Sequence, residues 1–170
     1  AELDDPAGVR DSRGESARDM LAQVEAQLPA DIAIFAAAVA DWRVANAGDH
    51  KIKKTSAGMP PLQLVENPDI LATISKLKQS RPHLVIGFAA ETQNLIENAT
   101  SKLKRKGCDW IVANDVSPAS GVMGGDRNTV HVLTLDKANV AVDSWPVMTK
   151  EEVADALVAK IADTIGHASK

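Results

Sequence analysis

One stretch of this chain carries residue types that could bind an anion. A run of small apolar residues, Ala36–Ala40, leads into Asp41, and the basic run Lys51-Ile52-Lys53-Lys54 follows shortly after it. Small side chains let a ligand approach the backbone closely, and lysines neutralise negative charge. If the alanine run ends a strand of an α/β sheet, Asp41 lies at the edge where such sheets bind ligands. The pattern therefore indicates a site for a phosphate-bearing ligand.

These residues also have purely structural interpretations. Asp41 could be a solvated turn carboxylate or a helix cap, or it could bind ribose hydroxyls or Mg²⁺, which prefers carboxylate and phosphate oxygens. The basic run Lys51–Lys54 is typical of a solvated strand face. The functional alternative is that Lys51 or a neighbour stabilises negative charge on a transferring phosphate. From these residues alone, both interpretations stay open.

Three further features could contribute to the same site. Asn67-Pro68-Asp69 predicts a helix start with its Asn as the N-cap and its Pro at the first helical position. The amides there could also bind a nucleobase or a phosphate. Phe88 lies near the end of a predicted strand, where core packing is favoured and base stacking is the alternative. Lys102 and Lys106 share one face of a predicted helix, and they matter only if that face borders the cleft.

Composition excludes several classes of protein. The chain has 170 residues, of which 45% are hydrophobic, and this suits one globular domain. A net charge of −4 argues against a general binder of nucleic acid or membrane surfaces. The lone Cys108 excludes a disulfide framework and a cysteine zinc site, and it is expected to pack as a small apolar residue. No membrane span or signal peptide is evident, so we expect a cytoplasmic protein.

Periodicity predicts the elements of the amino-terminal half. A helix begins at Ser16, and a strand buried on both faces covers Asp31–Ala40. Lys51–Lys54 and Leu62–Val65 are the two arms of a predicted hairpin. Its connection, Thr55–Pro61, is rich in Gly, Pro and small residues, and we expect it to be a mobile flap.

The alternation of helices and strands continues to the end of the chain. The predicted elements are a helix from Asn67, a strand over His83–Ala90, a helix that Gly107 ends, a strand over Asp109–Ala113, a hairpin of Thr129–Leu135 with Val140–Val147, and a helix capped by Thr149 and Glu152. This order predicts a three-layer α/β/α sandwich whose sheet is mostly parallel with an antiparallel edge hairpin. The chain has no GxGxxG or Walker A motif, which disfavours a dehydrogenase.

Taken together, the ordered motifs of the chain resemble one family. The motifs are Ala37-Ala38-Val39-Ala40-Asp41, Lys51-Ile52-Lys53-Lys54, Asn67-Pro68-Asp69-Ile70-Leu71, Gly87-Phe88-Ala89-Ala90-Glu91-Thr92, Lys102 through Lys106-Gly107, and Ala113-Asn114-Asp115-Val116. In order and spacing they resemble the bacterial phosphopantothenate–cysteine ligases (phosphopantothenoylcysteine synthetases). That enzyme is usually the carboxyl-terminal half of a bifunctional coenzyme A biosynthesis flavoprotein. The resemblance covers Pro6 to Ile165.

The resemblance implies a Rossmann-like domain that catalyses a two-step reaction. In the family, the carboxylate of 4′-phosphopantothenate attacks the α-phosphate of CTP, which gives an acyl-cytidylate and pyrophosphate. The amine of L-cysteine then displaces CMP and forms 4′-phosphopantothenoyl-L-cysteine, with Mg²⁺ assisting. The resemblance also implies a cytoplasmic homodimer, fused to or assembled with phosphopantothenoylcysteine decarboxylase. This chain itself would bind no flavin.

The resemblance also implies roles for particular residues. Lys51 matches the lysine most closely tied to catalysis, and Asp41 matches the aspartate that contacts the nucleotide. The positions that match the family's CTP pocket are Asp41, Lys51, Pro68, Asp69, Ile70, Leu71, Phe88, Lys102 and Lys106. Ala37 and Asn114 match positions close to the substrate. Thr55–Pro61 corresponds to the flexible flap over the site.

The chain departs from the family pattern at its amino-terminal end. Residues 1–170 match a single synthetase domain that begins downstream of the family's Gly-rich first strand and loop. Those elements help to bind phosphopantothenate and carry an Asn important for processing the acyl-cytidylate. Ser12-Arg13-Gly14 also replaces an apolar strand. The alternative to an active ligase is therefore a non-catalytic Rossmann-type nucleotide-binding module or an inactive fragment.

Overall fold

The computed structural model describes residues 7–45, 61–117, 127–136 and 139–168. Four helices and nine strands are assigned within these residues. The helices are α1 (Ala17–Ala26), α2 (Ile70–Ser75), α3 (Leu95–Lys106) and α4 (Lys150–Ala168). The strands are β1 (Ile32–Phe35), β2 (Trp42–Val44), β3 (Leu64–Glu66), β4 (Leu84–Glu91), β5 (Trp110–Asp115), β6 (Arg127–Asn128), β7 (Val130–Asp136), β8 (Asn139–Ser144) and β9 (Met148–Thr149).

The main sheet has five strands in the order β1-β4-β5-β7-β8. The first three strands are parallel, with Ile34 opposite Ile86 and Phe88 opposite Val112. β7 pairs antiparallel with β5, and β8 pairs antiparallel with β7 at the edge. Two small antiparallel ladders, β2 with β3 and β6 with β9, lie outside this sheet. The carboxyl ends of β1, β4 and β5 therefore open on one edge of the sheet.

Helices cover both faces of the sheet. On one face, α4 buries Val153, Leu157 and Ile161 against alternate residues of the central strands. On the other face, α3 packs Ala99 and Leu103 against the intervening residues of the same strands. Alternation along a strand sends neighbouring side chains to opposite faces, so each central strand supplies both cores. This confirms the predicted three-layer α/β/α sandwich with an antiparallel edge hairpin.

Local signals place several helix ends as the sequence predicts. The Ser16 side chain accepts a hydrogen bond from the Asp19 amide, and the Asp19 carboxylate accepts one from the Ser16 amide. Thr149 and Glu152 form the same reciprocal cap at the start of α4. Gly107 ends α3 in the left-handed conformation that glycine adopts without strain. No helix in the described ranges is long and apolar enough to cross a membrane.

One prediction about the amino-terminal half was wrong. The strand predicted over Asp31–Ala40 ends at Phe35, and Ala36–Ala40 are exposed rather than buried. These small apolar residues border a cleft, so their apolarity does not mark a core strand. Leu64–Glu66, in one arm of the predicted hairpin, forms a strand that pairs with Trp42–Val44. The other arm, Lys51–Lys54, lies outside the described residues, so the hairpin itself stays a prediction.

A carboxylate ties together the amino-terminal ends of β4 and β5. Asp109 accepts a hydrogen bond from the Val85 amide at 2.7 Å and receives Arg81 Nη2 at 3.0 and 3.1 Å on its two oxygens. Arg81 Nε also donates to the Ser75 carbonyl at the end of α2. The ion pair of Arg81 with Asp109 thus links the parallel strands β4 and β5 to the end of α2.

We expect Asp109→Ala to lower the free energy of unfolding by about 2 kcal/mol, because it removes the acceptor of the Val85 amide and the carboxylate partner of the part-buried Arg81. Urea unfolding measures this loss. Asp11→Ala, which removes the partner of the exposed Arg13, is the control and should cost less than about 0.5 kcal/mol. Equal losses in the two variants would contradict the role given to Asp109.

Candidate functional site

A cleft of about 350 Å³ opens beside the carboxyl end of β1. Its walls come from α1, from the segment that follows β1, from the segment that leads into α2, and from α3. The lining residues are Met20, Val24, Ile34, Phe35, Ala36, Ala37, Val39, Ala40, Asp41, Asn67, Pro68, Asp69, Ile70, Leu71, Phe88, Lys102 and Lys106. Most of the lining residues are apolar, but charged side chains and polar backbone groups make up much of the exposed surface. Such a composition suits a small ligand with a flat apolar part and an anionic part.

The segment Ala36–Asp41 forms one rim of the cleft. Its alanines and Val39 are exposed, and the strand hydrogen bonding of β1 has already ended at Phe35. The small side chains leave the backbone of this rim accessible, so a ligand can contact it. Among the described residues, Asp41 has no hydrogen-bond donor or cation on its carboxylate, which leaves both oxygens available to a ligand.

Asn67 holds this rim in place. Its amide N–H donates to the Asp41 carbonyl at 2.8 Å, and its side-chain Nδ2 donates to the Ala40 carbonyl at 2.8 Å. Arg43 donates to the Asn67 Oδ1 at 3.5 Å and to the Glu66 carbonyl. The predicted role of Asn67 as a helix N-cap was therefore wrong. Asp69 caps α2 instead, because its Oδ1 accepts from the Ala72 amide at 3.0 Å.

The floor of the cleft depends on a glycine. A Cβ atom built on Gly87 would lie 2.5 Å from Leu71 Cδ2 and 3.0 Å from Ile111 Cδ1. Leu71 therefore rests directly on the backbone of β4, where a larger residue would meet it. This close approach brings α2 down onto the strand and places Ile70 and Leu71 in the cleft wall.

Two lysines of α3, Lys102 and Lys106, also line the cleft. Lys102 Nζ donates to the Phe88 carbonyl at 3.1 Å, which uses one of its three N–H groups and leaves two for a ligand. Lys106 Nζ forms an ion pair with Asp69 Oδ2. The face of α3 that carries these lysines does border the cleft. This placement is the condition on which their predicted function depends.

The ion pair favours the ionised form of Asp69. Partial burial of the carboxylate favours its neutral form, but the hydrogen bonds from Lys106 and from the Ala72 amide outweigh that effect. The pKa of Asp69 is consequently held below its usual value, and the group is ionised at neutral pH. Lys106 is thus compensated by Asp69, whereas Lys102, among the residues that the structure describes, is hydrogen-bonded only to a carbonyl.

The described part of the chain contains no cluster of three or more His, Cys, Asp or Glu residues that could hold a metal ion. Mg²⁺ is commonly bound by one or two carboxylates together with the phosphates of a substrate. The cleft fits that mode, because Asp41 offers a carboxylate at the rim while Asp69 is already engaged. Cys108 is buried in the core, as predicted, and this burial raises the pKa of its thiol to about 11.

The structure brings most of the predicted site residues together. Those that line the one cleft are Ala37, Asp41, Pro68, Asp69, Ile70, Leu71, Phe88, Lys102 and Lys106. Asn114 lies at the carboxyl end of β5, outside the cleft lining, and its proximity to substrate stays a prediction. Lys51 and residues 55–60 of the predicted flap lie outside the described residues. Met20, Val24 and Ile34 also line the cleft, and sequence reasoning missed them because their helical and strand spacing indicates only packing.

Comparison with known proteins identifies the family. Residues 1–165 match the sequence model of the DNA/pantothenate metabolism flavoprotein C-terminal domain. The chain belongs to this family. A solved structure, the C-terminal domain of coenzyme A biosynthesis bifunctional protein CoaBC, superposes with a TM-score of 0.74 at 32% identity. The superposition covers 98% of this chain and 71% of the chain in the solved structure. The Rossmann-like α/β fold of the flavoprotein C-terminal domain family is thereby confirmed.

Two full-length relatives show how much of a longer protein the domain represents. The bifunctional protein CoaBC of Escherichia coli K12 is 40% identical over 149 residues, which is 86% of this chain and 36% of that protein. A protein named cysteine/cysteine sulfinic acid decarboxylase, from an unknown prokaryotic organism, is 41% identical over 140 residues, 82% of this chain and 38% of that protein. The chain therefore spans little more than a third of the length of these relatives.

Gly87→Ala should lower the free energy of unfolding by about 1–3 kcal/mol, because the new methyl group displaces Leu71 from the floor of the cleft. Urea unfolding measures the loss. Gly166→Ala in α4 is the matched control, since nothing lies within 4 Å of its added Cβ. The control should be neutral or slightly stabilising. A Gly87→Ala protein as stable as the control would contradict the close packing of Leu71.

The pair of Lys106 with Asp69 predicts a pH-dependent stability. A carboxylate whose folded pKa is depressed stabilises the fold above its unfolded pKa of about 3.9, and the contribution disappears as pH falls through the folded pKa. Lys106→Met should therefore be less stable than the wild type at pH 7, by up to about 1 kcal/mol. The difference should vanish below the folded pKa of Asp69.

Denaturant unfolding from pH 7 to pH 3 measures that difference. Lys104→Met, on the exposed side of the same helix turn, is the control and should track the wild type throughout. A Lys106→Met deficit that persists unchanged at the lowest pH would show that the charge pair does not cause it.

Proposed function

We propose that this domain is a phosphopantothenate–cysteine ligase that uses CTP. Its substrates would be 4′-phosphopantothenate, L-cysteine and CTP, and its products 4′-phosphopantothenoyl-L-cysteine, CMP and pyrophosphate. The observation that carries the proposal is the convergence of residues from Ala37 to Lys106, distant in sequence, on one cleft. The name of the relatives, coenzyme A biosynthesis bifunctional protein, supports the same assignment.

The cleft suits a nucleoside triphosphate. Apolar groups of Ile70, Leu71 and Phe88 provide a surface for a base, and the polar backbone around Pro68 can read its edge. Lys102 supplies two free N–H groups and a positive charge for phosphate oxygens. Asp41 lies on the rim that follows β1, where its carboxylate can accept hydrogen bonds from ribose hydroxyls.

Attack at the α-phosphate places negative charge on that group and on the leaving pyrophosphate. Cations preorganised at the phosphates are the main means by which enzymes stabilise this charge. Lys102 serves this purpose within the cleft, and we assign the catalytic charge to Lys51 on the strength of its motif. Mg²⁺, bound through the phosphates of the nucleotide, would supply further charge neutralisation.

The second step joins the activated acyl group to the amine of L-cysteine. An acyl-cytidylate is open to hydrolysis, so the intermediate must be shielded from water until the amine attacks. The segment Thr55–Pro61 is our proposal for that cover, and Ala37 keeps the rim low enough for phosphopantothenate to lie beside the nucleotide. Homodimerisation in the cytoplasm and association with a decarboxylase domain complete the proposal.

Pyrophosphate release in the presence of 4′-phosphopantothenate, CTP and Mg²⁺ tests the function. We expect release that depends on 4′-phosphopantothenate, and a fall of at least about 100-fold in Lys51→Ala, because a group that stabilises transition-state charge is lost. Lys78→Ala is the matched control, since Lys78 is exposed and lies outside the cleft, and it should retain full activity.

The assay also separates the ligase from a non-catalytic nucleotide-binding module. It should be run on this chain and on one lengthened at its amino end by the family's Gly-rich strand and loop. Release by the longer chain alone would assign catalysis to the longer protein and binding to residues 1–170. No release from either chain would overturn the ligase assignment. Full activity in Lys51→Ala would overturn the role of Lys51.

A further inference from the structure

We infer that Asn67 is a positioning residue for nucleotide binding, and that it acts through Asp41. The inference rests on the proposed CTP site and concerns a residue with no assigned role in it. Asn67 is half-buried, and it connects the segment leading into α2 with the rim Ala36–Asp41. Both segments line the cleft, so the residue between them fixes their separation.

The rim needs such a support because it has left the sheet. β1 stops at Phe35, and from Ala36 onward the chain is exposed until β2 begins at Trp42. Asn67 grips the last two residues of the rim with two hydrogen bonds, one from its backbone to Asp41 and one from its side chain to Ala40, each 2.8 Å long. These two hydrogen bonds fix the backbone at Ala40 and Asp41, and they therefore set the position of the Asp41 carboxylate.

Arg43 fixes the orientation of the Asn67 side chain. A guanidinium group can only donate hydrogen bonds, so the group of Asn67 that faces it must be the oxygen Oδ1. The Nδ2 group then points at the Ala40 carbonyl, which can only accept. The same guanidinium is anchored on the Glu66 carbonyl. If the carboxamide of Asn67 were turned over, its Nδ2 group would face the guanidinium and its Oδ1 would face the Ala40 carbonyl. Only the observed orientation satisfies both contacts.

The hydrogen bonds of this arrangement require the carboxamide of Asn67, which neither Asp nor Ala can replace. In Asn67→Asp an oxygen would face the Ala40 carbonyl, and two acceptors would repel each other although the shape is unchanged. In Asn67→Ala the side-chain bond is lost, but the backbone N–H to Asp41 remains. Both variants should release the rim at Ala40 without disturbing the cap of α2, which Asp69 supplies.

A double-mutant cycle on CTP affinity tests the inference. Calorimetric titration with CTP and Mg²⁺ would compare the wild type, Asn67→Ala, Asp41→Ala and the double variant. We expect Asn67→Ala to weaken CTP binding about tenfold in the wild type but less than about twofold in the Asp41→Ala background. Residues that act through one another show such non-additive losses, whereas independent residues add.

Controls separate positioning from a general loss of structure. Gln23→Ala removes a carboxamide bond to the Arg13 carbonyl outside the cleft lining, and it should leave CTP affinity unchanged. Thermal unfolding of each variant would confirm that it is folded, and Asn67→Asp would replace Asn67→Ala if the latter were unfolded. Asn67→Asp should also weaken binding about tenfold.

The outcomes distinguish this inference from the proposed function. If the wild type binds CTP and the Asn67 variants bind it equally well, or if the losses at Asn67 and Asp41 add, the positioning role is overturned. If the folded wild type does not bind CTP at all, the proposed function is overturned, and this inference is overturned with it.

Discussion

Parallel pairing of β1 with β4 is the constraint on which the site depends. The register sets Phe35 opposite Gly87, so the two strands end on the same edge of the sheet. The chain after β1 turns outward as the cleft rim, whereas β4 continues and supplies Phe88. Because α3 packs across β4 and β5, its lysines face the same opening. Residues far apart in sequence thus become neighbours through backbone hydrogen bonds.

Charge in the cleft is distributed unequally between its two lysines. Lys106 is paired with Asp69, which also caps α2, so this ion pair joins the two helices that wall the site. Among the described residues, Lys102 contacts a neutral carbonyl and no carboxylate. A paired cation contributes to the shape of the cleft, and an unpaired cation contributes attraction for phosphate. In the function that we propose, the same helix face would therefore have a structural role and a binding role.

The sequence predicted the parts of this arrangement that have local causes. Helix α3 and its Gly107 cap, the reciprocal cap of α4 by Thr149 and Glu152, and the β7–β8 hairpin follow from short-range patterns. The role of Asn67 could not be predicted, since its partners are more than twenty residues away in sequence. Ala36–Ala40 misled for a related reason: small apolar residues predict burial, and only the tertiary structure shows that they border a cleft.

A crystal structure of the chain with CTP and Mg²⁺ tests the central claim most directly. The account predicts the base against Ile70, Leu71 and Phe88, and phosphate oxygens within hydrogen-bond distance of Lys102 Nζ. Nucleotide bound elsewhere, for example on the β7–β8 hairpin, with the cleft between α1 and α3 empty, would contradict the account.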